Sequence, residues 1–106
     1  MVIARFGVYL ITLDPTTGSE IAKTRPCAVV SPDEMNRHLR TVIIAPMTTK
    51  RHGYPTRIAC RFGGKSGEVA LDQIRTVDRS RLTKRLGSLD RSASAQVIRV
   101  LQEMFA

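Results

Sequence analysis

Short apolar runs separated by turn-rich polar segments make up most of this chain, and the runs have the length of β-strands. The first run, residues 3–13, is apolar at nearly every position, which predicts a strand that is bent or buried on both faces. Residues 75–86 are basic and irregular, with room only for short strands around Val77 and Leu86. The other predicted strands span residues 27–30, 41–45, 56–62 and 67–71, and a glycine-rich turn at 63–65 joins the last two in a hairpin.

Two segments have the sequence features of helices. Ser31 at the N-cap, Pro32 at the first helical position and acidic residues after them predict a short helical turn over residues 31–36. Residues 90–105 begin with Asp90, a good N-cap, and their apolar side chains recur at helical spacing. We expect this apolar stripe to pack against the core; it comprises Ala93, Val97, Val100, Leu101, Met104 and Phe105.

Several short strands with closely spaced turns, followed by one terminal helix, predict a mostly antiparallel small β-barrel that is capped by the helix, an α+β arrangement. With 106 residues and no linker or internal repeat, the chain is expected to form a single domain over residues 1–106. The apolar run near the N-terminus is followed by Asp14-Pro15 and has no small-residue cleavage site, so it is interpreted as a strand and not as a signal peptide. No run is long enough for a transmembrane helix, and a cytoplasmic protein with no membrane association is expected.

The formal net charge of +8 favours a polyanionic partner, which can be a nucleic acid, an acidic protein or an anionic membrane. The basic residues are spread from Arg5 to Arg99 and do not form a tail. Aromatic residues are few, with two Tyr, three Phe and no Trp, which argues against a binder that stacks many bases on aromatic side chains.

Cys27 and Cys60 lie far apart and do not form a CxxC motif. Each lies in an apolar or strand-like stretch, so both are predicted to be buried thiols in a reducing cytoplasm. His38 and His52 are separated from the cysteines by spacing and loop context, and no zinc pattern is present. We therefore expect no metal site and no cofactor.

Two motifs carry the candidate chemistry. Residues 13–32 read Leu-Asp-Pro-Thr-Thr-Gly-Ser-Glu, then Ile-Ala-Lys-Thr, then Arg-Pro-Cys-Ala-Val-Val-Ser-Pro. Residues 45–50 read Ala-Pro-Met-Thr-Thr-Lys and are followed by Gly-Tyr-Pro at 53–55. Together these segments resemble the MazF/PemK family of toxin endoribonucleases. The resemblance implies an SH3-like barrel of the MazF/PemK/CcdB type with a C-terminal helix, acting as a homodimer.

RNA cleavage without a metal requires three things: a base for the ribose 2′-OH, a cation for the charge on phosphorus, and a proton for the leaving oxygen. An arginine suits the second task because its planar guanidinium holds two phosphate oxygens. Arg25 ends a turn-rich loop and adjoins an apolar strand, so its backbone is expected to be rigid. The resemblance implies that Arg25 is catalytic, that Thr48 supplies a functional hydroxyl, and that Glu20 is the acid of the loop over the site. Glu20 could orient Arg25 or transfer a proton; a plain salt bridge with Arg25 is the structural alternative.

Asp72 is the fourth catalytic candidate, at the end of a predicted strand. The segment 67–76 resembles the PemK-like branch, in which the equivalent acid is a proposed general base. That branch has an arginine where this chain has Ala70 and a histidine where it has Ser19, so its acid–base scheme does not transfer whole. Arg25 and Thr48 therefore carry more weight than Asp72. The residues predicted to contact the substrate are Ser19, Lys23, Thr49, Lys50, His52, Gln73 and Arg75.

The resemblance implies the toxin of a type II toxin–antitoxin system. Its activity would be sequence-specific, metal-independent cleavage of single-stranded RNA, leaving a 2′,3′-cyclic phosphate and a 5′-hydroxyl and inhibiting translation and growth. The implied partner besides RNA is a cognate antitoxin with an acidic disordered segment, which the net charge of +8 suits. Two alternatives stay open: a CcdB-like gyrase poison of the same fold, and a nucleic-acid-binding module without catalysis.

Overall fold

The computed structural model describes all residues 1–106 and shows a mostly β protein with a C-terminal helix. Helix α1 spans Asp33–His38, helix α2 spans Arg91–Met104, and single 3-10 turns lie at Leu71–Gln73 and Arg79–Arg81. The strands are β1 Gly7–Thr12, β2 Thr24–Val29, β3 Thr41–Thr48, β4 Arg57–Phe62, β5 Lys65–Ala70, β6 Arg75–Asp78 and β7 Leu82–Ser88. The predicted fold class is confirmed.

The strands form one antiparallel sheet in the order β4-β5-β3-β2-β1-β7, and β6 lies beside the first half of β3. Strand β3 changes partners along its length: residues 41–44 pair with β6, whereas Met47 and Thr48 pair with β5. This change of partner curves the sheet into a half-barrel, consistent with the predicted SH3-like barrel. It also brings the end of β3 next to Glu68, directly opposite Thr48.

Two apolar clusters pack on opposite faces of the sheet. Strand β1 contributes to both, because Val8 belongs to the cluster under α2 while Tyr9 and Ile11 belong to the other. All three side chains are fully buried. This is why the first apolar run shows no alternation with polar residues, as the sequence predicted.

Helix α2 covers one of these clusters. Its predicted cap is confirmed: the Asp90 carboxylate accepts a hydrogen bond from the Ala93 N–H at 2.8 Å. Val97 and Val100 are buried as expected, but Phe105 follows the last helical turn and is 72% exposed. The predicted apolar stripe therefore extended one residue too far.

Other predicted boundaries and caps need correction. Strand β1 begins at Gly7 and not at residue 3, because Phe6 has a φ of +66° and breaks the extended conformation. The N-cap of α1 is Pro32, because the Ser31 hydroxyl is buried and instead accepts the Ile43 N–H at 3.1 Å. Strand β3 continues beyond the predicted end at residue 45 to Thr48, and β2 begins at Thr24 and not at residue 27. The short strands expected around Val77 and Leu86 are present as β6 and β7.

The two cysteines differ in burial. Cys27 is fully buried, and burial raises the pKa of its thiol to about 12. Cys60 is only half-buried and lines a small pocket beside Phe62, so the prediction of a buried thiol was too strong there. Neither helix is both long and apolar enough to cross a bilayer.

Candidate functional site

A cleft of about 590 Å³ opens where three loops meet the end of β3. The loops are the segment before β2, the segment between β3 and β4, and the 3-10 turn that follows β5. Most of the residues predicted for the site line this one cleft, namely Ser19, Glu20, Arg25, Thr48, Thr49, Lys50, His52, Asp72 and Gln73. Ile21, Tyr54 and Arg57 complete its wall.

Arg25 lies on β2, paired with Ile11 of β1, and reaches the cleft from the sheet. Its Nε donates to the Ala22 carbonyl at 2.9 Å, which fixes the direction of the side chain. No carboxylate lies within ion-pairing distance of its guanidinium. Its terminal nitrogens are therefore free to bind an anion in the cleft.

Thr48 is the last residue of β3, and its half-buried side chain faces the same cleft. The Thr48 hydroxyl oxygen accepts a hydrogen bond from the Lys50 N–H at 3.2 Å. Because that bond uses only a lone pair, the hydroxyl proton can still be donated to a ligand. The neighbouring Thr49 and Lys50 are exposed and add a second hydroxyl and an unpaired ammonium group.

Glu20 lies in the exposed loop before β2, and its carboxylate accepts a hydrogen bond from the Thr17 N–H of the same loop. The salt bridge between Glu20 and Arg25 that the sequence left open as an alternative is not formed. The Glu20 carboxylate has no cationic partner and opens onto the cleft.

Asp72 is bound by Arg57 in a bidentate pair. Arg57 Nε lies 2.6 Å from Oδ1 and Nη2 lies 3.1 Å from Oδ2, and the Thr56 hydroxyl donates to Oδ1 at 3.0 Å. The hydrogen bonds from Arg57 hold the pKa of the Asp72 carboxyl below its usual value. A carboxylate held in this way is a weak proton acceptor, so the geometry disfavours Asp72 as a general base.

The sequence reasoning did not identify Arg57. The signal was its position at the start of β4, directly after a loop that carries candidate residues. In the sheet Arg57 pairs with Ala70 of β5.

Glu68 was also missed. Its side chain is only 3% exposed, and its carboxylate accepts the N–H groups of His52 at 3.1 Å and Gly53 at 2.8 Å. Arg57 Nη1 lies 3.4 Å from Oε1 of the same carboxylate. Burial raises the pKa of Glu68, but the two backbone N–H groups and Arg57 outweigh that effect and leave the pKa below its usual value. The buried carboxylate therefore stays ionised and anchors the loop between β3 and β4.

Gln73 ties the loop before β2 to the rest of the site. Its Oε1 accepts the Ile21 N–H at 2.6 Å, and its Nε2 donates to the Ser19 carbonyl at 3.3 Å.

Two residues predicted to contact the substrate lie outside the cleft. Arg75 lies in an adjoining depression of about 390 Å³ and donates to the Leu13 carbonyl at 2.9 Å. Lys23 lines neither depression and is exposed at a φ of +72°.

The charges of the cleft divide into two groups. Arg57 is neutralised by Asp72 and Glu68. Arg25, Lys50 and Glu20 also line the cleft, and none of them has an ion-pair partner. Unpaired cations and a hydroxyl with a free proton are groups that are suited to binding a phosphate. No group of three or more His, Cys, Asp or Glu side chains is arranged to hold a metal ion.

The chain is similar to known proteins over nearly its whole length. Over residues 4–105 the chain matches the family model described as PemK-like, MazF-like toxin of type II toxin–antitoxin system. Endoribonuclease EndoA of Bacillus subtilis is 35% identical, covering 96% of this chain and 93% of its own length.

Two solved structures are similar over nearly the whole chain. MazF from Deinococcus radiodurans superimposes with a TM-score of 0.86 at 27% identity, covering 99% of this chain and 97% of that protein. A mycobacterial endoribonuclease in complex with its cognate antitoxin gives a TM-score of 0.82 at 25% identity, covering 97% and 94%. The match of the family model over residues 4–105, together with the 35% identity to EndoA, places this chain in the PemK-like, MazF-like toxin family of type II toxin–antitoxin systems.

Proposed function

We propose that this protein is an endoribonuclease toxin that cuts single-stranded messenger RNA in the cleft described above, without a metal ion. The endoribonuclease class follows from the family and from EndoA, the relative that carries that name. The observation that carries the proposal is that Arg25, without an ion-pair partner, and the Thr48 hydroxyl face one cleft. This arrangement suits the phosphate at which the RNA chain is cut.

In the proposed reaction the 2′-oxygen of a ribose attacks the adjacent phosphorus. A new bond forms between the 2′-oxygen and phosphorus, and the bond from phosphorus to the 5′-oxygen breaks. The leaving 5′-oxygen takes up a proton from water, so the products are a 2′,3′-cyclic phosphate and a 5′-hydroxyl. Arg25 stabilises the charge that develops on the phosphoryl oxygens, and the Thr48 hydroxyl donates a hydrogen bond to one of them.

The proton of the 2′-OH requires an acceptor, and we assign that role to Glu20 in preference to Asp72. Glu20 opens onto the cleft without a cationic partner, whereas both oxygens of Asp72 are held by Arg57. We place Asp72 as a positioning residue that fixes Arg57 beside the cleft. Lys50, exposed at the rim, attracts the RNA backbone, which makes binding sensitive to salt.

A type II toxin has an antitoxin partner, and the mycobacterial relative has been solved with its own antitoxin. For this chain we propose an antitoxin with an acidic disordered segment that covers the cleft and competes with RNA. The net charge of +8 supports such a partner. We further propose that the toxin acts in the cytoplasm as a homodimer, and that cleavage of messenger RNA stops translation and growth.

The experiment that tests this function is incubation of purified, antitoxin-free protein with a long single-stranded RNA in EDTA. We expect discrete cuts whose 5′ ends carry hydroxyl groups and whose 3′ ends carry cyclic phosphates. Cleavage only after addition of a divalent cation, or products with 5′-phosphates, would overturn the mechanism. Intact RNA together with a trapped gyrase–DNA complex would point instead to the gyrase poison.

A further inference from the structure

Two ring side chains of the loop between β3 and β4 are stacked on each other. The rings of His52 and Tyr54 have centroids 5.0 Å apart and planes inclined by only 9°. Both line the cleft that holds Arg25 and Thr48, and Tyr54 is 50% exposed. A parallel pair of rings with surface still open to solvent is the kind of surface on which an unpaired nucleobase stacks.

Contacts with Glu68 and Arg57 fix the position of this ring pair. The buried Glu68 carboxylate accepts the N–H groups of His52 and Gly53, which fixes the backbone that carries the rings. The Arg57 guanidinium lies 5.2 Å from the centroid of the Tyr54 ring and is itself paired with Asp72. Because these contacts fix the loop before a ligand arrives, little conformational freedom is lost on binding.

A purely structural role for Tyr54 is to shield the Arg57 charge. Arg57 is paired with the carboxylates of both Asp72 and Glu68, so its charge has ionic partners other than the ring. Tyr54 is half-exposed and faces the cleft, while Tyr9, the other tyrosine, is fully buried in the core. The exposed ring surface is therefore left unexplained by packing.

We propose that His52 and Tyr54 form a base-stacking platform that receives one nucleobase of the single-stranded RNA beside the phosphate bound by Arg25. The proposal rests on the proposed function, because it requires RNA to lie in the cleft. Every nucleobase presents a π-face, so the platform contributes affinity and position without selecting a particular base. Among its parts, His52 and Tyr54 contact the base, and Glu68 and Arg57 are positioning residues.

The fluorescence of the protein provides a direct test. The chain has two tyrosines and no tryptophan, so its emission comes from Tyr9 and Tyr54 alone. The probe is a mixed-sequence 2′-O-methyl RNA strand, which lacks the attacking hydroxyl and stays intact. We expect this strand to quench the emission, and we expect a ribose-phosphate strand of equal length without bases to leave it unchanged. The quenching should persist in Tyr9→Phe, the matched control, and disappear in Tyr54→Leu.

The affinity of each variant for the same 2′-O-methyl strand measures how much the platform contributes to binding. Tyr54→Leu should weaken binding by about 5- to 150-fold, the loss expected when one base–aromatic stack is removed. Tyr54→Phe keeps the ring and should bind as tightly as the wild type. If Tyr54→Leu fails to fold, His52→Ala removes the other ring, and we expect a loss of binding there too. Equal binding by folded Tyr54→Leu and Tyr54→Phe, or equal quenching by the strand without bases, would overturn the platform.

These readouts separate the platform from the proposed catalysis. A protein that binds the 2′-O-methyl strand through Tyr54 but never cuts unmodified RNA supports the platform and contradicts the nuclease. A protein that cuts RNA, and for which Tyr54→Leu binds and cuts like Tyr54→Phe, supports the nuclease and contradicts the platform.

Discussion

The guanidinium of Arg57 holds both carboxylate oxygens of Asp72, with Nε 2.6 Å from Oδ1 and Nη2 3.1 Å from Oδ2. This pair joins the start of β4 to the 3-10 turn after β5, across the wall of the cleft. Resemblance to the PemK-like branch suggested Asp72 as a general base, but in this structure its carboxylate is held as the partner of a cation. The pair also distinguishes Asp72 from Glu20, whose carboxylate has no cationic partner.

The first prediction compares these two acids. Glu20→Gln removes the proposed proton acceptor and should lower the rate of RNA cleavage by about 10²- to 10⁴-fold, the usual contribution of a general base. Asp72→Asn keeps an oxygen for Arg57 and should lower the rate by much less. Single-turnover cleavage with saturating protein measures the cleavage rate of each variant. A larger loss for Asp72→Asn than for Glu20→Gln would reverse the assignment.

The second prediction concerns the buried ion network. Arg57→Ala leaves the Glu68 carboxylate, 3% exposed, without its cation. Loss of one partner from a buried pair destabilises a protein by about 3–5 kcal/mol, and we expect a value in that range. Arg61→Ala, in the same strand but exposed, is the matched control and should change stability by less than about 0.5 kcal/mol. Urea denaturation measures the free energy of unfolding of both variants. A loss in Arg57→Ala as small as the loss in Arg61→Ala would show that the network does not stabilise the fold.

The third prediction is the dependence of stability on pH. The pKa values of Glu68 and Asp72 lie below their ordinary values of 4.5 and 3.8. Each carboxyl therefore binds protons more readily in the unfolded chain, so its stabilising contribution is complete above those ordinary values. The contribution is lost as the pH falls below them and through the lowered pKa values of the folded protein.

Urea denaturation at a series of pH values should accordingly show stability that falls steeply with acidification below about pH 4.5. Glu68→Gln cannot ionise at this position, so its stability should fall less steeply over the same range. A wild-type protein whose stability is constant down to about pH 3 would contradict the pKa shifts.

The fourth prediction concerns the cysteines. Burial keeps the Cys27 thiol fully inaccessible and raises its pKa to about 12, whereas Cys60 is half-buried beside a small pocket. A thiolate is the reactive form of cysteine, so an alkylating reagent should modify Cys60 well before Cys27 in the folded protein. Peptide mass mapping at successive times determines the order in which the two cysteines are modified. Modification of Cys27 first would show that the β2 strand opens more readily than its burial implies.

The parts of the site that the sequence predicted are those carried by local motifs. Arg25 and Thr48 lie in the two motifs, residues 13–32 and 45–50, that carry the family resemblance, and that resemblance singled them out. The structure places Arg25 in β2 and Thr48 at the end of β3. Arg57 and Glu68 were missed because their contacts depend on the register between β4 and β5. Arg57 meets Asp72 fifteen residues along the chain, and Glu68 meets Gly53 at the same separation. No local pattern encodes such a pairing.

In the fold as well, features set by local sequence were predicted and features set by distant contacts were not. The C-terminal helix and its Asp90 cap were predicted because helical periodicity and capping are local. The start of β1 was not predicted, because the turn at Phe6 depends on a distant contact. The Phe6 N–H donates a hydrogen bond to the Val29 carbonyl at 2.7 Å. Ser31 was misassigned as a cap for the same reason, since its hydroxyl bonds across to Ile43.

The most direct test of the proposed function is cleavage of a long single-stranded RNA in EDTA by matched arginine variants. Arg25→Ala removes the cation assigned to the phosphate, and Arg37→Ala removes an exposed charge on α1, away from the cleft. We predict that wild type and Arg37→Ala give the same cuts at the same rate, whereas folded Arg25→Ala is slower by at least about 10²-fold. Cleavage by Arg25→Ala at the wild-type rate would contradict the central claim.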